Sequence, residues 1–229
     1  MVFHGFQKMT MLDFPGYVAC TVFTAGCNCR CPFCHNALLV TDINNDVIYT
    51  EDDILAYLNK RKGVIDGICI SGGEPLMHDG IGDFIAKVKK LGMLVKIDTN
   101  GSFPEKLREL IAGGNVDYVA MDIKNSPAKY ALTTDCQVDV EAIKKSVKLL
   151  LEGRVGYEFR TTVVKELHTL DDMAEIGEFI SGADRYFLQH FIDSEANIER
   201  GLTPFSKAEM EQLRLSIVKY VKNAEIRGV

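Results

Sequence analysis

The chain has 229 residues with a formal net charge of −6, 47% hydrophobic and 25% charged residues. That balance excludes a disordered or collagen-like chain. A chain of this size can bury roughly 70% of its unfolded surface, enough for a core without staples. No apolar run approaches the length of a membrane span, and the charge lacks the clustered basic footprint of a nucleic-acid binder. Met1–Thr10 shows no basic segment followed by an apolar stretch, so no secretory signal is visible and a cytoplasmic location is expected.

Taken in chain order, a strand is predicted over 17–23, then a helix over 50–63 with Thr50 as N-cap and Asp53 as its partner. A short buried strand follows at 67–71, a helix at 79–92 and a strand at 94–99. Pro104 opens a helix over 104–114. The strand at 116–124, helix at 139–153, strand at 155–164, helix at 170–182 and strand at 184–192 complete the alternation. A last helix over 206–224 starts at a Ser206/Glu209 capping box. Six apolar strands alternating with amphipathic helices predict an α/β fold with a parallel sheet, curled by right-handed crossovers into a partial (β/α)6 barrel. A doubly wound open sheet is the competing architecture. No linker or repeat is evident, so one domain is expected over 1–229, with a lead-in at 1–16, a core at 17–192 and a C-terminal loop and helix at 193–229.

Chemistry in parallel α/β folds collects at the C-terminal ends of the strands. Here polar residues follow one strand after another: four cysteines, then Ser71-Gly72-Gly73-Glu74-Pro75, Asp98-Thr99-Asn100-Gly101, Asp122-Ile123-Lys124, Arg160-Thr161-Thr162 and Gln189-His190. On a barrel these would surround one pocket. Seven cysteines in a chain read as cytosolic do not suggest disulfides. Cys20 and Cys69 lie in apolar runs and read as small buried hydrophobes, and Cys136 as a surface or loop residue. Cys27, Cys29, Cys31 and Cys34 fall within eight residues and make a poor core but a good ligand set for a soft metal centre. Structural zinc usually needs two separated pairs, and no second C-x2-C or H-x3-H is present. An electron-transfer cluster would use four cysteines, Cys29 included. The spacing Cys27-x3-Cys31-x2-Cys34 favours a third option, a 4Fe–4S cluster held by three cysteines with one iron open.

The run from Cys27 to Asn36, CNCRCPFCHN, resembles the cluster loop of the radical S-adenosylmethionine (SAM) superfamily. Gly5-Phe6-Gln7-Lys8, Leu12-Asp13-Phe14-Pro15-Gly16, the GGEP of 72–75, the DTNG of 98–101 and the DIK of 122–124 match, in order, motifs of the glycyl-radical-enzyme activases, above all the activating proteins of anaerobic ribonucleoside-triphosphate reductase. The resemblance implies that Cys27, Cys31 and Cys34 bind the cluster and that SAM chelates its open iron. It places Phe33 beside the adenine, Gly72 and Gly73 against the methionyl amino group, and Glu74 as an acceptor nearby or a satisfied strand-end carboxylate. Asp98 and Asp122 would flank the SAM carboxylate, through a monovalent cation as in pyruvate formate-lyase activase. Lys124 would bring a positive charge to it, and Arg160 either a second one or a structural ion pair. The implied partners are a glycyl radical enzyme as protein substrate and flavodoxin or ferredoxin as reductant, with no nucleic acid and no membrane. A small-molecule enzyme of the carboxy-deazaguanine synthase type is the alternative. Cys29 stands where the subgroup has an apolar or aromatic residue, and His190 is one position from a ligand-contacting histidine, so both roles stay open. His4, His78 and His168 read as plain polar residues.

Overall fold

A computed structural model describes residues 1–43 and 48–228. The elements in chain order are β1 (Val2–Phe3), β2 (Gly5–Thr10), β3 (Ala19–Thr24), α1 (Ala37–Val40), β4 (Tyr49–Thr50), α2 (Glu51–Lys60), β5 (Gly67–Gly72), α3 (Ile81–Lys90), β6 (Leu94–Thr99), α4 (Pro104–Ala112), β7 (Tyr118–Asp122), α5 (Tyr130–Thr134), α6 (Val140–Leu151), β8 (Gly156–Val163), α7 (Leu170–Phe179), β9 (Tyr186–His190), α8 (Lys207–Ile217) and β10 (Ala224–Arg227). One sheet holds eight strands in the order β10-β9-β8-β7-β6-β5-β3-β2. From β3 to β10 every neighbouring pair is parallel, and each crossover steps one place in the same direction. Such stepping curls a sheet toward a barrel, and here β10 and β2 remain its two ends, which leaves the barrel partial.

The strands are buried because helices cover their outer face. Ile68, Ile70, Val95, Ile97, Val119 and Met121 have no exposed surface, nor do Ile54 and Leu58 of α2, Phe84 and Val88 of α3 or Ile176 of α7. Helix starts follow the predicted chemistry: Thr50 and Asp53 close a capping box on α2, as Ser206 and Glu209 do on α8, and Pro104 opens α4.

Two edges differ from the sequence reading. Residues 5–10, taken as lead-in, form β2, antiparallel to β3 with a register shift between Gln7 and Thr10. The last helix ends at Ile217, not 224, and Ala224–Arg227 pairs parallel with Tyr186–Gln189. A four-residue, half-exposed strand carries no alternation long enough to announce itself against a preceding helical pattern. Its position is fixed by backbone bonds from Gly182, Tyr186 and Lys222 and by Arg227, which binds the buried Glu158 through two nitrogens at 2.7 and 3.0 Å.

Candidate active site

The C-terminal strand ends enclose a cleft of about 270 Å³. Cys27, Cys29, Cys31, Phe33 and Cys34 line it together with Gly72, Gly73, Asp98, Asp122, Lys124 and Arg160. Residues spread over more than 130 positions of sequence thus converge, as their strand-end placement predicts.

The cysteine loop leaves β3 and is clamped from several sides. Gly73 N donates to Thr24 O and Glu74 N to Gly26 O, both at 2.9 Å, while Asn36 Nδ2 donates to Gly72 O at 2.9 Å. A Cβ at Gly73 would stand 1.9 Å from Gly26 O, and Gly72 has φ +117° with Thr24 O only 2.3 Å from where its Cβ would be. The glycines therefore have a necessity the sequence did not show: they admit the chain's own cysteine loop as well as facing the cleft. On the other side Arg30 N donates to Thr134 O at the end of α5, and Glu199 N donates to Pro32 O.

Glu74 lies beneath the cleft and does not line it. Its fully buried carboxylate accepts from Leu76 N at 3.0 Å, Thr99 Oγ1 at 2.8 Å and Asn100 N at 2.6 Å. Burial pushes this carboxyl up to about 8 against those three donors. Glu74 thereby ties the end of β5 to the end of β6 and presents Asn100. Asn100, given no role of its own by the sequence beyond its place in the DTNG run, sends Nδ2 to Asn28 Oδ1 at 2.8 Å, with Cys29 Sγ at 3.6 Å and Cys27 Sγ at 3.8 Å.

The four sulfurs differ. Bonding from Cys29 leads the lowering of the Cys27 thiol to about 6 and the lowering of Cys31, with Lys124 aiding both; Cys29, bonded to both neighbours, is raised, and burial raises Cys34. Among the described residues no group of three or more His, Cys, Asp or Glu side chains is placed to hold a single metal ion. A cluster asks something else, since each cysteine bonds its own iron and the sulfurs need not converge on one point. Several thiols facing one cleft, two of them with lowered pKa, beside cationic Lys124, fit that chemistry.

The floor of the cleft is a chain of charges. Lys96 pairs with Asp98, Asp98 with Arg160 at 3.4 Å, Arg160 Nε with Asp122 at 2.8 Å, and Asp122 with Lys124 at 3.0 Å. Burial would raise Asp122, but Arg160 and Lys124 outweigh it and bring it down to about 2; Arg160 and Lys96 likewise hold Asp98 below the usual range. Lys124 is held at the backbone: its N donates to Tyr130 Oη at 3.2 Å, and its carbonyl lies 2.9 Å from His168 Nε2. Val164 N donates to His168 Nδ1 at 3.2 Å, which leaves the Nε2 proton for Lys124. His168 is thus a buried strut. His78 also has a partner, Ala25 O at 2.9 Å from its Nε2. His190 lines the cleft with Nε2 on Phe205 O at 2.8 Å. Phe33 is buried with Val164 and Phe191, and Cys136, in the loop after α5 as expected, packs half-buried on the same cluster. Cys20 and Cys69 are wholly buried, as expected.

This fold and cleft define an α/β protein whose clustered thiols could hold a soft metal centre beside a charged ligand site. The family model described as "Radical SAM superfamily" matches residues 21–180. A candidate glycyl-radical enzyme activating enzyme of Methanocaldococcus jannaschii is 32% identical over 98% of this chain and 95% of its own. The anaerobic ribonucleoside-triphosphate reductase-activating protein of Salmonella typhi is 33% identical over 40% of this chain and 60% of its own. The fold is shared with Streptococcus suis SuiB bound to S-adenosylmethionine, with TM-score 0.71 and 16% identity over 90% of this chain and 49% of that one. The chain belongs to the radical SAM superfamily and, within it, to the glycyl-radical enzyme activating enzymes. The superfamily implies a 4Fe–4S cluster and SAM as cofactors. Among the described residues no helix is long and apolar enough to cross a membrane.

Proposed function

We propose that this chain activates a glycyl radical enzyme by removing a hydrogen atom from a glycine Cα of that partner, and that the partner is an anaerobic ribonucleoside-triphosphate reductase. The observation that carries the reading is the meeting of the cysteine loop, the GGEP turn and the Asp98–Arg160–Asp122–Lys124 chain on one cleft. The similarity to the Salmonella typhi activating protein supports the choice of partner.

When bound and reduced by a flavodoxin or ferredoxin, the cluster and SAM supply a 5′-deoxyadenosyl radical that takes a hydrogen atom from a strong C–H bond. The chain's own residues bind and orient. Cys27, Cys31 and Cys34 hold the cluster as thiolates. Lys124 and Arg160, held by Asp122, meet the ligand carboxylate, with Asp98 beside it. Gly72 and Gly73 keep the cleft wall open at backbone level, and Glu74 acts through Asn100 and Thr99 as a positioning residue. Phe33 gives an apolar surface for the adenine. Apolar side chains are exposed on segments bordering the cleft, Leu38 in α1 and Ile192 just after β9. They suit a protein partner whose own loop excludes water from the cleft.

The test is SAM cleavage by the cluster-loaded protein with and without the reductase. Methionine and 5′-deoxyadenosine release should be slow alone and accelerate with the reductase or a peptide of its glycyl loop. Acceleration by a small heterocycle instead, with none from the protein, contradicts the proposal.

A further inference from the structure

Lys96 escapes a reading of the sequence because it sits inside β6, two residues before Asp98, in an otherwise apolar run. Its side chain is only 2% exposed, a rare state for lysine. It pairs with Asp98 Oδ1 and lies 3.6 Å from Cys69 Sγ. A buried ammonium is costly unless paired, and here the pairing carboxylate opens on the cleft.

Every oxygen of the two cleft carboxylates has a donor from the chain. Asp98 Oδ1 accepts from Lys96; Asp98 Oδ2 accepts from Ser71 Oγ at 3.0 Å and lies 3.4 Å from Arg160. Asp122 Oδ1 accepts from Arg160 Nε at 2.8 Å and Asp122 Oδ2 from Lys124 Nζ at 3.0 Å. Two carboxylates thus meet three cations. The neighbouring Glu158 adds no spare negative charge, because Arg227 covers both of its oxygens. A hard metal cation needs oxygens with lone pairs turned toward it. Here each of those oxygens already accepts from the chain, and a further positive charge would face three cations that outnumber the two carboxylates. The residues do not fit the monovalent cation that the family resemblance implied.

We infer that Lys96 is a tethered cation, whose ammonium does for Asp98 what a bound monovalent ion would do, so that SAM binding by this chain needs no monovalent metal. The inference rests on the reading of the cleft as the SAM site. Lys96 acts through Asp98 and is a positioning residue.

The test measures SAM affinity of the cluster-loaded protein by titration calorimetry in potassium, sodium or tetramethylammonium chloride at one ionic strength. Wild type should bind equally in all three, within about twofold. Lys96→Met should bind about tenfold more weakly or worse in tetramethylammonium and recover most of that in potassium or ammonium. A merely structural lysine would lower the melting temperature without cation-specific recovery. A loss of about tenfold by wild type in tetramethylammonium overturns the inference, as does a folded Lys96→Met that is indifferent to the cation. If Lys96→Met does not fold, the wild-type comparison decides alone. Absence of SAM binding in every salt would instead overturn the proposed function.

Discussion

Cys29 shares the loop and the cleft with the three spaced cysteines, yet its sulfur lies against Asn100 Nδ2 and between two neighbours whose thiols it lowers. On the proposed function Cys29 would bind no iron. Cys27→Ala, Cys31→Ala or Cys34→Ala should abolish cluster binding, whereas Cys29→Ser should keep a reducible 4Fe–4S centre, as iron content and electron paramagnetic resonance would show. Loss of the cluster in a folded Cys29→Ser protein would contradict this. The carboxylates make a separate prediction about pH. Asp122 falls from 3.8 to about 2, so its stabilisation is present above pH 4 and is lost as pH falls through 2. The unfolding free energy of wild type, from urea melts, should drop across that window by about 2 kcal/mol more than that of Asp122→Asn. For ligand binding, Lys124→Ala should weaken SAM affinity about ten- to a hundredfold, the worth of a charge-assisted contact. Unchanged affinity with a lower melting temperature would assign Lys124 to stability alone. Much of this site was legible because cysteines and strand-end acids are residue types with few structural uses. Asn100, Lys96 and His168 were less so. An asparagine in a DTNG turn, a lysine in a strand and a histidine before a helix each have common bland roles, and only their partners, Cys27 and Cys29, Asp98 and Lys124, reveal them.

The elements carry their own tests. Gly73 is where the end of β5 meets the cysteine loop with no room for a methyl group, the Cβ position lying 1.9 Å from a backbone oxygen. Backbone cannot yield as a side chain can, so Gly73→Ala should displace the loop, cost about 2–4 kcal/mol and lower cluster occupancy even in protein that remains folded. At the other end of the sheet, β10 is anchored by Arg227 on the buried Glu158, with Tyr118 Oη at 3.1 Å as the remaining partner. Arg227→Ala should cost about 2–4 kcal/mol, or roughly 5–15 °C in melting temperature, and adding Glu158→Gln should restore part of it. The failure to foresee β10 has the same origin as its reliance on one ion pair. Four residues with half-exposed side chains contribute little hydrophobic periodicity, so the strand is held by backbone pairing to β9 and by the Glu158 contact, which lies 69 positions away in sequence. The central strands were legible for the opposite reason, since apolar residues fill their helix-covered face and dominate each short run.

For the whole molecule, the cleft opens at the strand ends beside the cysteine loop, and the 193–205 segment touches that loop through Glu199 and α1 through Ala196. The 193–205 segment has no helix or strand of its own among the described residues. A protein substrate would bring both the reacting Cα and the cover that keeps water out. The most direct test of this account uses anaerobic ribonucleoside-triphosphate reductase labelled with Cα-deuterated glycine, mixed with reduced, cluster-loaded protein and SAM, and read by electron paramagnetic resonance and by mass spectrometry of the nucleoside product. A glycyl radical on the reductase, with deuterium in 5′-deoxyadenosine, is the predicted result; SAM cleavage with no glycyl radical and no deuterium transfer would contradict it.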